Sequence, residues 1–472
     1  MGRAAAQIEM AGIPTVCVTR SGFEGIVNNA FAGFGFNSEA AKGYIFPTEM
    51  FLQGSDLSPI EAHFKEFIEG GLIEWEPEMK ELGMVEPSII TVSGKTLLEA
   101  EENVNNIFAR NMWRDSLPII PPTEEKVNWI LKGSDLDPNT AIGTILPRGG
   151  IATVRAIAIC LAMAGGRPEY LTTTIACVEA LCDPNLNMQS WGATTNSCFP
   201  VWIVNGPMSK EIRISCGYGL LGPNPSYPAG GVIGRCMRLI MMVIGGQTPG
   251  IGTMALFGGA RSENAVFAED YADLPEGWTT VSEEFGYSKE ANTVTISVCN
   301  TMTNVLWDFG NVEGNEHALN AMAGVMAAPN ALRLSGPVSP ALSHDPHLMQ
   351  GVVLLPKGFV SSIKDVNGMS KLDCQKYLWE KSKVSYEYLV DCGYAGFMGQ
   401  RDLYHAGDMV PAAPDPEQIL IVCTGGSQGG HGYWMAPFST GLNTCKEIKK
   451  PANWDDLLLD AEIAIGPIPA TN

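Results

Sequence analysis

Positive charge is scarce in this chain of 472 residues: 30 Lys and Arg stand against 51 Asp and Glu, a formal charge of −21 at pH 7. Such a surface repels the phosphates of a duplex and an anionic membrane. The richest basic stretch is Lys446, Lys449 and Lys450, too little to reverse that, so neither is expected as a partner. Long apolar runs are also missing. A membrane-spanning helix needs about 18 to 20 apolar residues. The best stretches, 151–166 and 239–246, are shorter, and Arg155 interrupts the first. The opening MGRAAAQIEMAGIPTV lacks the pattern of a secretory signal, and Ala6 stands where a myristoylation motif needs Ser or Thr. There is no C-x-x-C among the 12 cysteines. Their scattered, mostly apolar settings (Cys17, Cys160, Cys177, Cys299, Cys423) read as reduced core thiols of a cytoplasmic protein. A metal is not expected, and nothing names an organic cofactor.

What the chain does have is apolar bulk. Apolar residues make up 45% and charged residues 17%, the balance of a folded chain with much buried surface, in the core or between subunits; a homo-oligomer is expected. Strand-like and helix-like segments alternate, which argues for α/β layers: mixed or mostly parallel sheets with flanking helices, a small N-terminal domain and a larger core. Three divisions are expected: 1–87, 88–330 and 331–472. In the first, residues 3–11 read as a helix, 14–19 as a strand and 22–33 as a second helix. Ser58 reads as an N-cap with Pro59 in the first turn, and the acidic stretch 74–87 as a linker. Thr96, Thr123 and Ser370 read as helix starts. Residues 151–164, 168–181 and 232–244 read as apolar helices. Residues 200–204, 294–299, 352–355 and 418–423 read as strands, and 269–289 as a polar surface excursion.

Three segments carry candidate chemistry. The first is a strand running into Thr424-Gly-Gly-Ser-Gln-Gly-Gly-His431, where Gly425 and Gly426 let backbone N–H groups approach an anion and His431 is a candidate acid or base. It is not a Walker loop, because the lysine is missing. The second is Thr194-Thr195-Asn196-Ser197-Cys198, five small polar groups before a buried strand closed by Asn205. These suit a carboxylate or carbonyl ligand, with Cys198 a candidate nucleophile; local turn chemistry is the competing reading. The third is Gly217-Tyr-Gly-Leu-Leu-Gly-Pro-Asn224, followed by a helix bearing Arg235 and Arg238, of which Arg235 is the candidate carboxylate clamp. Arg148 and Arg167 stand beside glycine pairs in a nearly uncharged block and are candidate anion contacts, although Arg167 also has Glu169 as an ion-pair partner. Glu269, in an acidic pair with Asp270, is either a general base or part of a solvated turn. His344 and His347 flank Asp345-Pro346, whose turn keeps two imidazoles from converging on a metal.

Two resemblances follow from these residues. AAAQIEMAGIPTVCVT, with Phe46-Pro47-Thr48 and Leu57-Ser58-Pro59, resembles the selenoprotein B component of glycine, sarcosine and betaine reductases. LPIIPPTEEKV, AGGRPEYL, TTNSCFPVWIVNGP, GYGLLGPNP, GMSKLDCQKYLWEKSKV and ILIVCTGGSQGGH are together similar to the UGSC family of (seleno)proteins, named for a Sec-Gly-Ser-Cys motif. The resemblance implies redox chemistry. It places the Sec/Cys-Gly-Ser-Cys motif just upstream of Met1, through a selenocysteine codon read as a stop, unless the thiol or selenol sits on a partner chain or this branch has lost it. The AGGRPEY segment also lacks a cysteine expected there.

The expectation is an enzyme acting on a small carboxylate- or carbonyl-bearing molecule by reductive or eliminative cleavage, with the thiol or selenol supplied upstream or by a partner. A non-redox lyase or hydrolase using Cys198 or His431, and a non-catalytic subunit of a hetero-complex, are the alternatives. The catalytic reading expects all three segments to form one cleft.

Overall fold

The structure is a computed structural model and describes residues 2–36, 43–47, 50, 54–73, 88–258, 265–272, 274–329, 344–394 and 404–469. The N-terminal unit begins with α1 (Gly2–Met10), β1 (Cys17–Arg20), α2 (Glu24–Ala32) and β2 (Gly43–Phe46). β1 and β2 are parallel with α2 as the crossover, a βαβ unit. Phe31 and Phe36 meet edge to face, 5.6 Å between centroids, in its small core. Two short helices follow, α3 (Ser58–Ala62) and α4 (Phe64–Gly71). Ser58 is not the cap expected of it: Leu57 holds that position, and the Ser58 N–H donates to Asp56 Oδ1 at 3.0 Å. The stretch 74–87 lies outside the described residues.

Next come α5 (Leu97–Arg110) and α6 (Glu124–Leu131), each opened by a threonine hydroxyl accepting from the third residue on, Thr96 from Glu99 N and Thr123 from Lys126 N. The stretch 151–164 does not begin as a helix. Its start forms a hairpin, β3 (Ala141–Ile145) with β4 (Gly150–Thr153), and α7 (Val154–Met163) starts only where Thr153 caps it. α8 (Leu171–Leu181), α9 (Met188–Trp191), β5 (Phe199–Asn205) and α10 (Met208–Glu211) lead to α11 (Ala229–Leu239), which runs into a π-helical turn at Ile240–Ile244. β6 (Val266–Ala268) and α12 (Val281–Glu284) follow. The stretch around them is no surface excursion: Glu269, Trp278, Thr280 and Ser282 are buried. β7 (Thr293–Leu306) is twice the expected length, and α13 (Val312–Met326) succeeds it.

The remaining elements are β8 (Val352–Leu355), α14 (Lys357–Asn367), α15 (Lys371–Lys381), β9 (Val384–Ser385), α16 (Tyr386–Asp391), β10 (Met409–Val410), β11 (Leu420–Cys423), β12 (His431–Pro437), β13 (Thr444–Glu447) and α17 (Trp454–Ile465). Ser370 opens α15 through a reciprocal capping box with Asp373.

The fold is α/β around one mixed sheet of seven strands in the order β11-β8-β12-β7-β5-β6, with β13 also on β7. β11 with β8 and β5 with β6 are parallel; the other four pairings are antiparallel. Strands from 88–330 and from 331–472 therefore share hydrogen bonds in one sheet. The sheet curls until its edges meet: Asp270 N donates to Cys423 O at 2.8 Å, and Thr424 Oγ1 donates to Ala268 O at 2.6 Å.

Strand alternation then sorts side chains to an inside and an outside. Phe199, Val201 and Ile203 of β5, Phe267 of β6, Val352 and Leu354 of β8 and Leu420 and Val422 of β11 fill the inside. Outside, Trp202, Val294, Ile296 and Val298 pack on α7, α8 and α11. On the other flank Val353, Leu355, Ile421 and Trp434 pack on α13, α14 and α15. Among the described residues no helix is long and apolar enough to cross a membrane.

Candidate functional site

β5 is buried along all seven residues and carries a polar cluster at each end. At its start, Thr194 Oγ1 accepts from Asn196 N at 3.2 Å, an ST-turn that folds the loop back on itself. Cys198 Sγ lies 3.3 Å from Trp191 O. A second loop, Gly245-Gly-Gln-Thr-Pro-Gly-Ile-Gly-Thr253, leaves the π-helical turn and comes up against the first. Leu256 N donates to Thr195 O at 3.1 Å, and Phe257 N donates to Ser197 Oγ at 3.3 Å. Between the loops lies a small cleft lined by Trp191, Gly192, Asn196, Cys198, Arg238 and Gln247, with Thr253 beside them.

This lining is rich in donors. Trp191 and Gln247 are each 3% exposed, and neither Trp191 Nε1 nor Gln247 Nε2 has a hydrogen-bond partner among the described residues. A Cβ on Gly192 would stand 2.8 Å from Met188 O and 2.8 Å from Gln247 Nε2. Arg238 adds the cleft's one ionised side chain among its described lining residues. Burial pushes the Cys198 thiol up to about 12, so it stays protonated and is itself a donor. That state argues against Cys198 as a thiolate nucleophile. An arginine, an indole N–H and two carboxamides around a small space suit an acceptor-only group, a carboxylate or carbonyl oxygen.

The other end of β5 is roughly 20 Å away, at about 3.3 Å per residue. There Asn205 Nδ2 donates to Glu269 Oε2, which also accepts from Val281 N at 2.8 Å. Glu269 is 1% exposed, so it is not part of a solvated turn. Desolvation raises its pKa from 4.5 to about 7, against the opposing pull of Lys371, the Val281 N–H and Asn205. Lys371, equally buried, pairs with Glu284 and donates to Thr279 O at 3.1 Å.

Two of the three sequence segments meet beside this end. Gly425 N donates to Cys216 O at 2.8 Å, Tyr218 Oη lies 3.3 Å from Ser427 Oγ, and a Cβ on Gly426 would stand 2.5 Å from the Tyr218 ring. The remaining segment, Thr194 to Cys198, is at the far end of β5, so the three do not form one cleft.

The remaining candidates have structural partners. Asn224 organises its own loop, donating to Tyr218 O at 2.9 Å and accepting from Ser226 N and Tyr227 N. Arg235 forms a two-pronged pair with Asp115, both bonds 2.9 Å, and so ties α11 to residues 115–118. Arg167 bonds Glu169 at 2.5 Å and lies over Trp129. Arg148 is exposed on the seam with the N-terminal unit. His431 is exposed at the start of β12, with Nδ1 3.3 Å from Asn304 Nδ2. His344 pairs with Asp415 at 2.7 Å while His347 stacks on Phe285, so the two imidazoles serve different neighbours.

The sequence reading passed over Arg238, one turn beyond Arg235, together with Gln247 and Trp191. The available signal was GGQTPGIGT, a fourth glycine-rich stretch directly after an apolar helix. The N-terminal unit docks on this same loop. Asn29 Nδ2 donates to Gly246 O at 3.4 Å, and a Cβ on Gly33 would stand 1.5 Å from Arg148 O. Among the described residues no group of three His, Cys, Asp or Glu side chains is placed to hold a metal ion. No protein-family model matches the chain, nor does any curated protein or any solved structure.

Proposed function

We propose that the chain is an enzyme that holds a small carboxylate- or carbonyl-bearing molecule in the cleft at the start of β5. One observation carries this reading: two deeply buried N–H donors without partners among the described residues, Trp191 Nε1 and Gln247 Nε2, line the same cleft as Arg238. Buried donors are paired in more than nine cases of ten, so two together point to a ligand that accepts from them. Arg238 and Gln247 orient the acceptor oxygens, and Asn196 adds a third contact, while the Cys198 S–H is engaged by Trp191 O.

The reaction is reductive or eliminative cleavage of the bound molecule, driven by a thiol or selenol from a partner chain or from chain preceding α1. In the reductive form two thiols become one disulfide. Their two electrons and two protons go to the carbon and the leaving group as that bond breaks. Docking of the α1–α2 unit supports this, because it sets the start of α1 on the β3–β4 turn, which in turn bonds the Gly246 loop: Arg3 Nη1 donates to Pro147 O at 3.3 Å, and Arg148 N donates to Gly245 O at 2.9 Å. The resemblance of the chain's sequence segments to the UGSC family, an expectation from sequence, agrees with this reading.

None of the twelve cysteines is in a disulfide, which supports a reducing, cytoplasmic setting. Exposed Leu459 and Ile463, one turn apart on α17, support a homo-oligomer.

The test is binding and turnover. Acetate, glycolate and pyruvate should raise the melting temperature, their uncharged amides should raise it less, and Arg238→Gln and Gln247→Leu should abolish the effect. Turnover should require an added dithiol. Turnover without thiol would make the protein a lyase or hydrolase instead, and absence of carboxylate binding by the wild type would end the assignment.

A further inference from the structure

We infer that the inner face of the curled sheet holds a file of bound water molecules, running from the Glu269 carboxyl past Thr293 and Thr295 to Ser297. Residues 293, 295 and 297 of β7 share a face with Cys299, which packs among the inner apolar side chains, whereas Val294, Ile296 and Val298 face the outer helices. Asn205 sits opposite Thr293 in the β5–β7 register, on the face of Val201 and Ile203. Glu269 follows Phe267 at the same alternation on β6. One contiguous strip of the interior is therefore polar, although the same face is apolar towards β8 and β11.

Every member of that strip is at most 1% exposed. Five of its oxygens have no nitrogen or oxygen partner among the described residues: Glu269 Oε1, Asn205 Oδ1, Thr293 Oγ1, Thr295 Oγ1 and Ser297 Oγ. The hydroxyls interact with thiols, both threonines with Cys445 of β13 and Ser297 with Cys299. A thiol is a weak partner and leaves an oxygen's hydrogen-bonding capacity largely unmet. With the carboxyl ionised, Glu269 Oε1 and Asn205 Oδ1 both accept and cannot satisfy each other.

An occupant must therefore donate to two acceptors at one end and both donate and accept along the hydroxyls. Water does this, making two to four hydrogen bonds in such sites. Alternate residues of a strand are about 6.6 Å apart, a gap that one or two waters bridge. The file runs from the Glu269 carboxyl to the neighbourhood of Cys445.

Oxygen-17 relaxation dispersion on the whole chain counts long-lived internal waters. Thr295→Val and Ser297→Ala should each lower that count and raise the unfolding equilibrium constant about five- to thirty-fold, because each leaves a water short of a partner. Thr295→Ser keeps a hydroxyl, should preserve the count, and serves as the reference if Thr295→Val does not fold. An unchanged or smaller unfolding constant in Thr295→Val, or in Ser297→Ala, means a dry interior and overturns the inference. Stabilisation by sodium, potassium or calcium that disappears in Glu269→Gln means a cation occupant and overturns it equally.

Discussion

Replacing Glu269 by glutamine should stabilise the protein at alkaline pH and leave it nearly unchanged in acid. The carboxyl is 1% exposed, and burial lifts its pKa from 4.5 to about 7. A group whose folded pKa lies above its unfolded one binds its proton more tightly in the folded chain. That contribution is fully present below pH 4.5 and is lost as pH rises through 7, where the folded protein must carry a buried charge. A rise of about 2.5 in pKa, at about 1.36 kcal/mol for each, corresponds to about 3 kcal/mol. Glutamine keeps the shape, accepts from Val281 N through its carbonyl and never ionises. Urea unfolding of both proteins between pH 4 and 9 measures the effect. Every other ionisable side chain is common to both proteins, so the difference isolates this site. The variant's advantage should grow with pH and level off above 7, at about 3 kcal/mol over its value in acid. A difference independent of pH would refute the reasoning, since it would mean that Glu269 has the same pKa folded and unfolded.

Two further outcomes follow from close approach and from burial. Gly33→Ala places a methyl 1.5 Å from Arg148 O, so residues 2–36 should lose hydrogen-exchange protection while β5 and β7 keep theirs. The expected cost is about 1–3 kcal/mol of overpacking. Cys198, held protonated by its surroundings, should react with iodoacetamide at pH 8 far more slowly than a free thiol of ordinary pKa, read by mass spectrometry of the alkylated peptide.

Much of the secondary structure was legible because its causes are local. Thr96, Thr123 and Ser370 cap the helices expected of them, since each hydroxyl needs only the backbone three residues on. The N-terminal helix–strand–helix is readable from a short apolar run between two periodic segments. Where a local pattern allowed two structures, the sequence misled: Ile151 to Thr153 fits a helix, and pairing with β3 makes it a strand.

The site was legible only as types of residue. Asn196 and Cys198, as a polar cluster before a strand, do line the cleft, yet Arg235 and Arg238 differ by one helical turn and nothing local says which is tied to Asp115. Nor does the sequence show that Glu269, beside Asp270 in a polar stretch, is buried. That depends on the two sheet edges meeting, through Asp270 N and Cys423 O, residues 153 positions apart in the chain. Local hydrogen bonding sets which segments are helix or strand, and the sequence carries that. Which strand ends meet, and so which charges lose their water, is decided by long-range closure of the sheet, which only the tertiary structure contains.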